Sequence, residues 1–459
     1  MAHSSNTPIS ALIARYDGRL PRYTSYPTAP NFKSSVSAEV YGQWLRATAL
    51  DQPLSIYIHV PFCDRLCLYC GCNTSVVRLE SSRLAYAQLL EREIKMVADA
   101  LPGRGRIAQI HWGGGTPTSL SAASLVSVMD VIRTRFDMEA NAEIAIEIDP
   151  VNLPVDRLPA LRDMGVTRAS LGVQDFNADV QQAIGRAQSF DETRDCLNGL
   201  REIGIASVNL DLMYGLPHQT VESVRATAQA VLELAPERIA VFGYAHVPWM
   251  KKHQELIPAE SLPDALARFA QQEAIADVLC SQGGYQSIGL DHFALPGDAL
   301  TVAAEAGDLH RNFQGYTTDS APALIGIGAS AIGSLHQGYA QNAVRVPEYA
   351  AAIGADRFAV KRGVALTDDD RLRRSVIEQI MCGDEVDLEA SALHFLGRAD
   401  ALNGAIEAME ALAADGFVAR NGARWRVTEL GRPFMRQVAA TFDAYLGQGE
   451  APRRFARAV

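Results

Sequence analysis

The stretch SIYIHVPFCDRLCLYCGC, residues 55–72, joins two different patterns. Its first six residues, Ser55–Val60, are rich in β-branched and aromatic side chains and read as a strand. Beyond the strand come Cys63, Cys67 and Cys70, separated by three and then two residues, and Cys72 two positions further on. A tight loop with these spacings can aim three sulfurs at one point, and thiolates are natural ligands for zinc or for an iron–sulfur cluster. A structural zinc site normally closes with four ligands, commonly as two well-separated pairs. Here the thiols form one compact run. Three thiolates on a four-iron cluster leave one iron open, and that iron can chelate a small molecule through an amine and a carboxylate. The spacing alone leaves Cys72 either as a fourth ligand or as a bystander.

Outward from this stretch, short β-rich runs alternate with longer segments of helical period. The expected strands are Ser55–Val60, Ile107–Trp112, Glu143–Asp149, Arg168–Val173, Ser207–Met213 and Arg238–Tyr244. Helical patterns over Arg83–Leu101, Ser121–Phe136, Glu192–Ile203 and Val221–Leu234 lie between them. Such alternation predicts βαβ units and a parallel sheet, either wound or closed into an incomplete barrel. Chemistry in both belongs at the C-terminal ends of the strands. The cysteines follow the first expected strand and a glycine run follows the second. Glu147 lies in the third, Gln174 follows the fourth, and Asp211 with Tyr214-Gly-Leu-Pro217 ends the fifth.

His111-Trp-Gly-Gly-Gly-Thr-Pro117 permits close backbone approach and unusual dihedrals. Glu147 is a carboxylate in an apolar strand, and a buried charge is costly unless paired. A cationic, hydroxyl-rich ligand or a structural salt bridge would pair it. Gln174, Arg186 and Asp211 repeat that argument on later units.

The 459 residues suggest two or three domains. Hydrophobic residues make up 48% and charged ones 21%, an ordinary globular balance with material for a large core. A net charge of −11 gives no reason to expect nucleic acid as the partner. No apolar run approaches the roughly 20 residues of a membrane helix. The first twenty residues lack a continuous apolar segment of signal-peptide type. A cytoplasmic protein without membrane insertion is expected. Cys196, Cys280 and Cys382 stand alone in apolar helical contexts and read as inert thiols.

From about residue 365 the pattern changes to helical segments and a short turn, Arg420-Asn-Gly-Ala-Arg424, between two expected strands, with a helix from Thr428 onward. Helices plus a hairpin predict a winged-helix-like module. Its 12 Arg, no Lys and 15 Asp or Glu argue for packing or covering rather than DNA binding.

The CxxxCxxC spacing after a first strand, with an aromatic residue before the third cysteine, resembles the signature of the radical S-adenosylmethionine superfamily. The glycine run resembles that superfamily's glycine motif. Gly165-Val-Thr-Arg168 and Gly172-Val-Gln-Asp-Phe176 continue the likeness. Pro21-Arg-Tyr-Thr-Ser-Tyr-Pro27, Asp291-His-Phe-Ala294, His310-Arg-Asn-Phe-Gln-Gly-Tyr-Thr317, Tyr339-Ala-Gln-Asn342 and the tail from Thr428 narrow it to the oxygen-independent coproporphyrinogen III oxidases, over essentially the whole chain. The local departure is the small-residue-rich stretch Ala321–Ser334.

The resemblance implies an α/β fold, an incomplete (β/α)6 TIM-like barrel with a mainly helical, winged-helix-like C-terminal domain. It divides the chain into residues 1–50, an extension covering the active site; 51–365, the catalytic domain; and 366–459. It implies a [4Fe–4S] cluster on Cys63, Cys67 and Cys70, with Cys72 free of the cluster and near the reacting centre. It implies two S-adenosylmethionine molecules per chain. The first lies on the cluster near Tyr57, Gly114, Glu147 and Ile332. The second lies near Tyr69, Gly115, Thr116, Gln174, Arg186, Asp211 and Ala245. Gly114, Gly115 and Thr116 hold the amino end of the cofactor, and Phe313 and Gln314 close over the site.

The family's reaction uses one electron from the reduced cluster to form a 5′-deoxyadenosyl radical. That radical abstracts a β-hydrogen from a propionate, and loss of carbon dioxide and one electron leaves a vinyl group. Repetition converts coproporphyrinogen III to protoporphyrinogen IX. The substrate is a tetracarboxylate, so Arg22 and Arg311 are expected to meet carboxylates. An electron-donor protein and a monomeric chain complete the expectation. A haem-binding chaperone of the same superfamily and a relative that methylates or opens a tetrapyrrole are the rivals. Cys72 and the Phe313-Gln314 segment argue against the chaperone.

Overall fold

The structure is a computed structural model that describes residues 7–383, 385–446 and 455–457. Among the described residues, six strand–helix units run in series. They are β1 (Leu54–Val60), α1 (Glu80–Ala100), β2 (Arg106–Gly114), α2 (Ala122–Arg135), β3 (Asp137–Ile148), α3 (Arg157–Asp163), β4 (Arg168–Gln174), α4 (Phe190–Glu202), β5 (Ser207–Tyr214), α5 (Val221–Leu234), β6 (Arg238–Gly243) and α6 (Ala265–Asp277). The six strands pair in parallel in chain order. The helix starts carry local chemistry that fixes them. Ser121 accepts from Ser124 N at the head of α2, and Ser189 with Glu192 forms a reciprocal capping box on α4.

The sheet extends beyond the expected six strands. β7 (Gln286–Ile288) and β8 (His292–Ala294) lie antiparallel beyond β6. β9 (Ala323–Ile327), β10 (Ile332–Leu335), β11 (Gly338–Asn342) and β12 (Val360–Ala365) lie on the other side of β1. The order is β12-β11-β10-β9-β1-β2-β3-β4-β5-β6-β8-β7. β9 runs parallel to β1, and β10 to β12 form an antiparallel meander. The divergent stretch Ala321–Ser334 forms β9 and most of β10. Its small residues let β9 fold back on β10: a Cβ on Gly326 would sit 2.7 Å from the Ile332 carbonyl carbon, and Gly328 has φ +101°.

Along β1, Leu54, Ile56, Ile58 and Val60 are buried in a core shared with Tyr86, Ala87, Leu90 and Ile94 of α1. The alternate residues Ser55, Tyr57 and His59 turn to the barrel interior. That interior is polar. Gln109, His111, Ser170, Asn209 and Arg238 line a lumen of about 140 Å³ beneath the strand ends.

The C-terminal part has the element order of a winged helix. Helices Asp368–Gly383, Leu388–Leu396 and Asn403–Ala414 surround a three-stranded sheet of Glu385–Asp387, Arg424–Val427 and Val418–Asn421. The helices and the hairpin match expectation; the three-residue strand Glu385–Asp387 is too short to show a period. The N-terminal segment splits. Leu12, Ile13, Tyr23 and Tyr26 share the C-terminal core, whereas Val36, Tyr41, Trp44 and Leu45 pack into the barrel core.

Candidate active site

The cysteine and glycine loops are fastened to each other at the ends of β1 and β2. Gly115 N donates to Val60 O at 2.8 Å and Thr116 N to Phe62 O at 2.7 Å. A Cβ on Gly115 would lie 2.6 Å from Phe62 O and 3.0 Å from Cys63 Sγ. Only glycine permits that approach. Gly114 has φ +116°, and a Cβ there would meet the His59 ring at 2.6 Å. On its other side the cysteine loop is tied by Leu68 N to Ile184 O at 2.9 Å.

Cys63, Cys67, Cys70 and Cys72 all line one cleft of about 350 Å³, far more room than a single ion needs. Among the described residues no group of three or more His, Cys, Asp or Glu side chains is arranged to hold a metal ion. A tetrahedral zinc with ~2.3 Å bonds requires such a close gathering. Thr116 Oγ1 lies 3.7 Å from Cys63 Sγ, and Arg186 Nη1 lies 3.5 Å from Cys67 Sγ. Burial pushes the Cys63 thiol up to about 11, and a hydrogen bond from Cys72 brings Cys70 down to about 6. Three thiols around a roomy cleft, each met by a donor (Thr116 at Cys63, Arg186 at Cys67 and Cys72 at Cys70), fit a cluster held by sulfur.

The same cleft is walled by Tyr69, Gly114, Gly115, Thr116, Glu147, Gln174, Arg186, Asp211 and Ala245, with Arg22 at its margin. Glu147 Oε1 lies 3.2 Å from His111 Nε2, and Oε2 accepts from Gly114 N at 3.0 Å. The protein thus supplies part of the pairing this charge needs. Burial pushes the Glu147 carboxyl up, but His111, the Gly114 amide and His59 together hold it below its ordinary value. Asp211 accepts from Asn209 Nδ2 at 2.8 Å and Ser170 Oγ at 3.1 Å. Burial, then the nearby Glu147, raise it to about 6. Arg186 pairs with Asp149 at 3.1 Å and donates to Gly172 O at 2.6 Å, while its buried Nε meets no acceptor. Gln174, last in β4, has φ +71°, a conformation that costs a non-glycine residue and gathers at functional sites.

The remaining expected residues, Arg22 apart, lie around this cleft rather than in it. Tyr57 stacks on His111 with ring centroids 5.9 Å apart, and its hydroxyl lies 3.0 Å from His59 Nδ1. Gln314 lines the polar lumen, which shares Glu147, Ser170, Asp211 and Phe242 with the cleft. Phe313 and Ile332 pack with Phe32 and Tyr339 on the far side of the β9–β10 turn. Ile332 reaches the β1 wall only through Gly326, the register partner of Tyr57. Arg22 Nη2 donates to Gly243 O at 2.6 Å, and its guanidinium lies 5.8 Å from the Phe242 ring centroid. Arg311 belongs to the hairpin His310–Asn312/Gly315–Thr317, and its Nη2 donates to Arg22 O at 3.4 Å.

Sequence reasoning missed a clamp on the cysteine loop. Lys251 Nζ donates to Cys72 O at 2.8 Å and Gln254 Nε2 to Tyr69 O at 2.8 Å, while His253 Nε2 lies 2.7 Å from Cys70 O. Gln254 is fully buried and its Oε1 accepts from Val247 N at 2.6 Å. Gln254→Ala therefore strands two polar groups, each costing roughly 1–3 kcal/mol when buried. The expected result is a loosened loop that gives up iron to a chelator several-fold faster, followed by bleaching of the reconstituted protein.

The chain matches the family described as Radical SAM superfamily over residues 57–231 and the HemN C-terminal domain over residues 366–434. It is 48% identical to the oxygen-independent coproporphyrinogen III oxidase of Bradyrhizobium diazoefficiens, over 94% of this chain and 96% of the relative. It is 42% identical to the Escherichia coli protein of that name, over 98% of both chains. The solved structure of the E. coli coproporphyrinogen III oxidase, described as a radical SAM enzyme, superposes with a TM-score of 0.88 at 40% identity, covering 95% of this chain and 98% of that one.

Proposed function

The chain belongs to the oxygen-independent coproporphyrinogen III oxidases, and from that premise we propose how its cleft serves their reaction. The reaction turns two propionate side chains of coproporphyrinogen III into vinyl groups, giving protoporphyrinogen IX. The observation that carries the assignment of the site is the placement of Cys63, Cys67 and Cys70 in one cleft with the glycine loop, Glu147, Gln174, Arg186 and Asp211. When bound, a [4Fe–4S] cluster supplies the electron that cleaves S-adenosylmethionine to the hydrogen-abstracting radical. The three cysteines hold that cluster, and Cys72 stays free of it beside the reacting centre. Gly114, Gly115 and Thr116 receive the amino end of the cofactor.

Tyr57, Glu147 and Ile332 border a first S-adenosylmethionine. Tyr69, Gln174, Arg186, Asp211 and Ala245 border a second. Phe313 and Gln314 cover the substrate's approach, and Arg22 and Arg311 meet its carboxylates. Residues 1–50, 51–365 and 366–459 form the extension, catalytic and C-terminal parts, a division supported by the HemN C-terminal match beginning at 366. Among the described residues the cysteines form no disulfide, which suits a reducing, cytoplasmic setting. No helix among the described residues is long and apolar enough to cross a membrane. The described walls of the cleft come from one chain, which supports a monomer served by an electron-donor protein.

Anaerobic reconstitution with iron, sulfide and a reductant tests this. S-adenosylmethionine should be cleaved in proportion to vinyl groups formed, and exposure to air should remove cluster and activity together. Vinyl formation without cofactor cleavage, or full activity after prolonged aeration, defeats the assignment.

A further inference from the structure

Behind the hairpin His310–Asn312/Gly315–Thr317 lies a cavity of about 230 Å³. Four parts of the chain wall it, one of them the barrel strands through Leu324 of β9, Ser334 of β10 and Tyr339 of β11. Tyr23 and Tyr26 come from the N-terminal strap, Arg311 and Phe313 from the hairpin, and Arg374 from the first helix of the C-terminal domain. The volume is several times the ~30 Å³ share of a water molecule. It is below the roughly 300–1,000 Å³ of pockets that take a whole small ligand. It suits one substituent of a larger molecule.

The chemistry of its walls names the substituent. Arg311 has a side chain only 3% exposed. Its Nη2 lies 3.6 Å from Asp291 Oδ2, while Nε and Nη1 are buried and meet no acceptor. A buried charged group with empty donors is costly, and a carboxylate matches a guanidinium best. Arg374 adds a second guanidinium, 5.4 Å from the Tyr339 ring centroid. Phe313, Leu324 and Ile377 give the same cavity apolar sides. Glu378 and Asp319 also line the cavity, but Glu378 lies 3.1 Å from His310 Nδ1 and Asp319 accepts from Ser55 Oγ at 2.8 Å, so two guanidinium groups in a recess of mixed polarity are left to meet a carboxylate on a short aliphatic stem. The cavity shares Asn312, Thr317, Asp319 and Leu324 with the polar lumen, which in turn borders the cleft.

We propose that this cavity holds a propionate of the tetrapyrrole that is not the one reacting, gripped by Arg311 and Arg374; the proposal rests on the function assigned above. Two of the four propionates survive the reaction, so substrate and monovinyl intermediate both carry a carboxylate for the pocket. The grip is the same in ground and transition states, which makes it uniform binding that acts on KM rather than kcat. It also keeps the intermediate in place between the two decarboxylations.

The test uses the reconstituted enzyme under anaerobic conditions with coproporphyrinogen III, with melting temperature and the cluster's visible band reporting the fold. Losing a charge-assisted contact costs roughly 1.5–3 kcal/mol, so Arg374→Gln should raise KM about tenfold or more and release monovinyl product early. Arg374→Lys should recover part of both. Arg311→Gln should act in the same direction; should it fail to fold, the Arg374 pair decides alone. An unchanged KM with no added monovinyl release, or a loss confined to kcat, overturns the pocket. A wild-type enzyme that forms no vinyl groups overturns instead the function on which the pocket rests.

Discussion

Replacing Cys63, Cys67 or Cys70 with serine is expected to abolish both the iron–sulfur chromophore and vinyl formation. A serine hydroxyl is a harder, far more basic ligand than a thiol and does not replace thiolate sulfur on an iron–sulfur cluster. In the proposed arrangement three thiolates hold the cluster, so losing one would leave too few to retain it. The fold should survive each change. The cysteines lie on a loop at the sheet's end, and β1 and β2 remain paired through the buried Ile56, Ile58, Ile110 and Trp112. Iron and sulfide content after reconstitution, with far-ultraviolet circular dichroism as control, makes the measurement. Cys72→Ser serves as the internal contrast. It should retain most of the iron, because Cys72 is an exposed fourth thiol whose bond in this arrangement goes to Cys70. A Cys72→Ser protein unable to hold iron would mean four protein ligands and no open iron.

How much of this was legible in the sequence depends on where the determinants sit along the chain. Each of the six parallel strands is a local β-rich run, and the structure places them within a few residues of the expected bounds, except that β3 begins earlier. The cleft walls were legible for the same reason. In a parallel sheet the residues at successive strand ends converge on one side, so Glu147, Gln174 and Asp211 meet the cysteines without any local signal linking them. β9 was not legible. Ala323-Leu-Ile-Gly-Ile327 lies in a run of small residues chosen for close passage against β10, which hides its strand pattern. The clamp was invisible for another reason. Lys251, His253 and Gln254 reach residues 179 to 185 positions away, and the run holding them has no period or motif. Arg374 joins Arg311 only because the C-terminal helix packs on the hairpin, a contact secured by Tyr316 OH donating to Met381 O at 2.7 Å.

Asp211→Asn is expected to weaken S-adenosylmethionine binding by about 10- to 100-fold at neutral pH, and to do so at one of two sites. A carboxylate offers about four acceptor positions. Ser170 and Asn209 use one on each oxygen, which leaves the others to the cleft. A ligand hydroxyl donating there makes a charge-assisted bond worth roughly 1.5–3 kcal/mol, and the amide loses it while keeping the shape. The pH dependence identifies the residue. Burial and Glu147 raise Asp211 to about 6, above its ordinary 3.8, so the protonated form is the one the empty protein favours at mildly acid pH. A ligand that needs the ionised form must displace that proton. Wild-type affinity should therefore be level above about pH 6 and fall toward tenfold per pH unit below it. Asp211→Asn should not show that step. The sign for stability is opposite. A carboxyl whose pKa is raised on folding binds more protons folded than unfolded, so its unfavourable effect grows as pH rises past 3.8 and is complete above 6. The ligand-free asparagine variant should then melt no lower than wild type at pH 7, which separates lost binding from lost fold. Equilibrium binding under anaerobic conditions reads both numbers. Two S-adenosylmethionine molecules per wild-type chain, one of them weakened in the variant, is the expected outcome. One per chain in the wild type, or two of unchanged affinity in the variant, removes Asp211 from a second site and leaves a single cofactor used twice in succession.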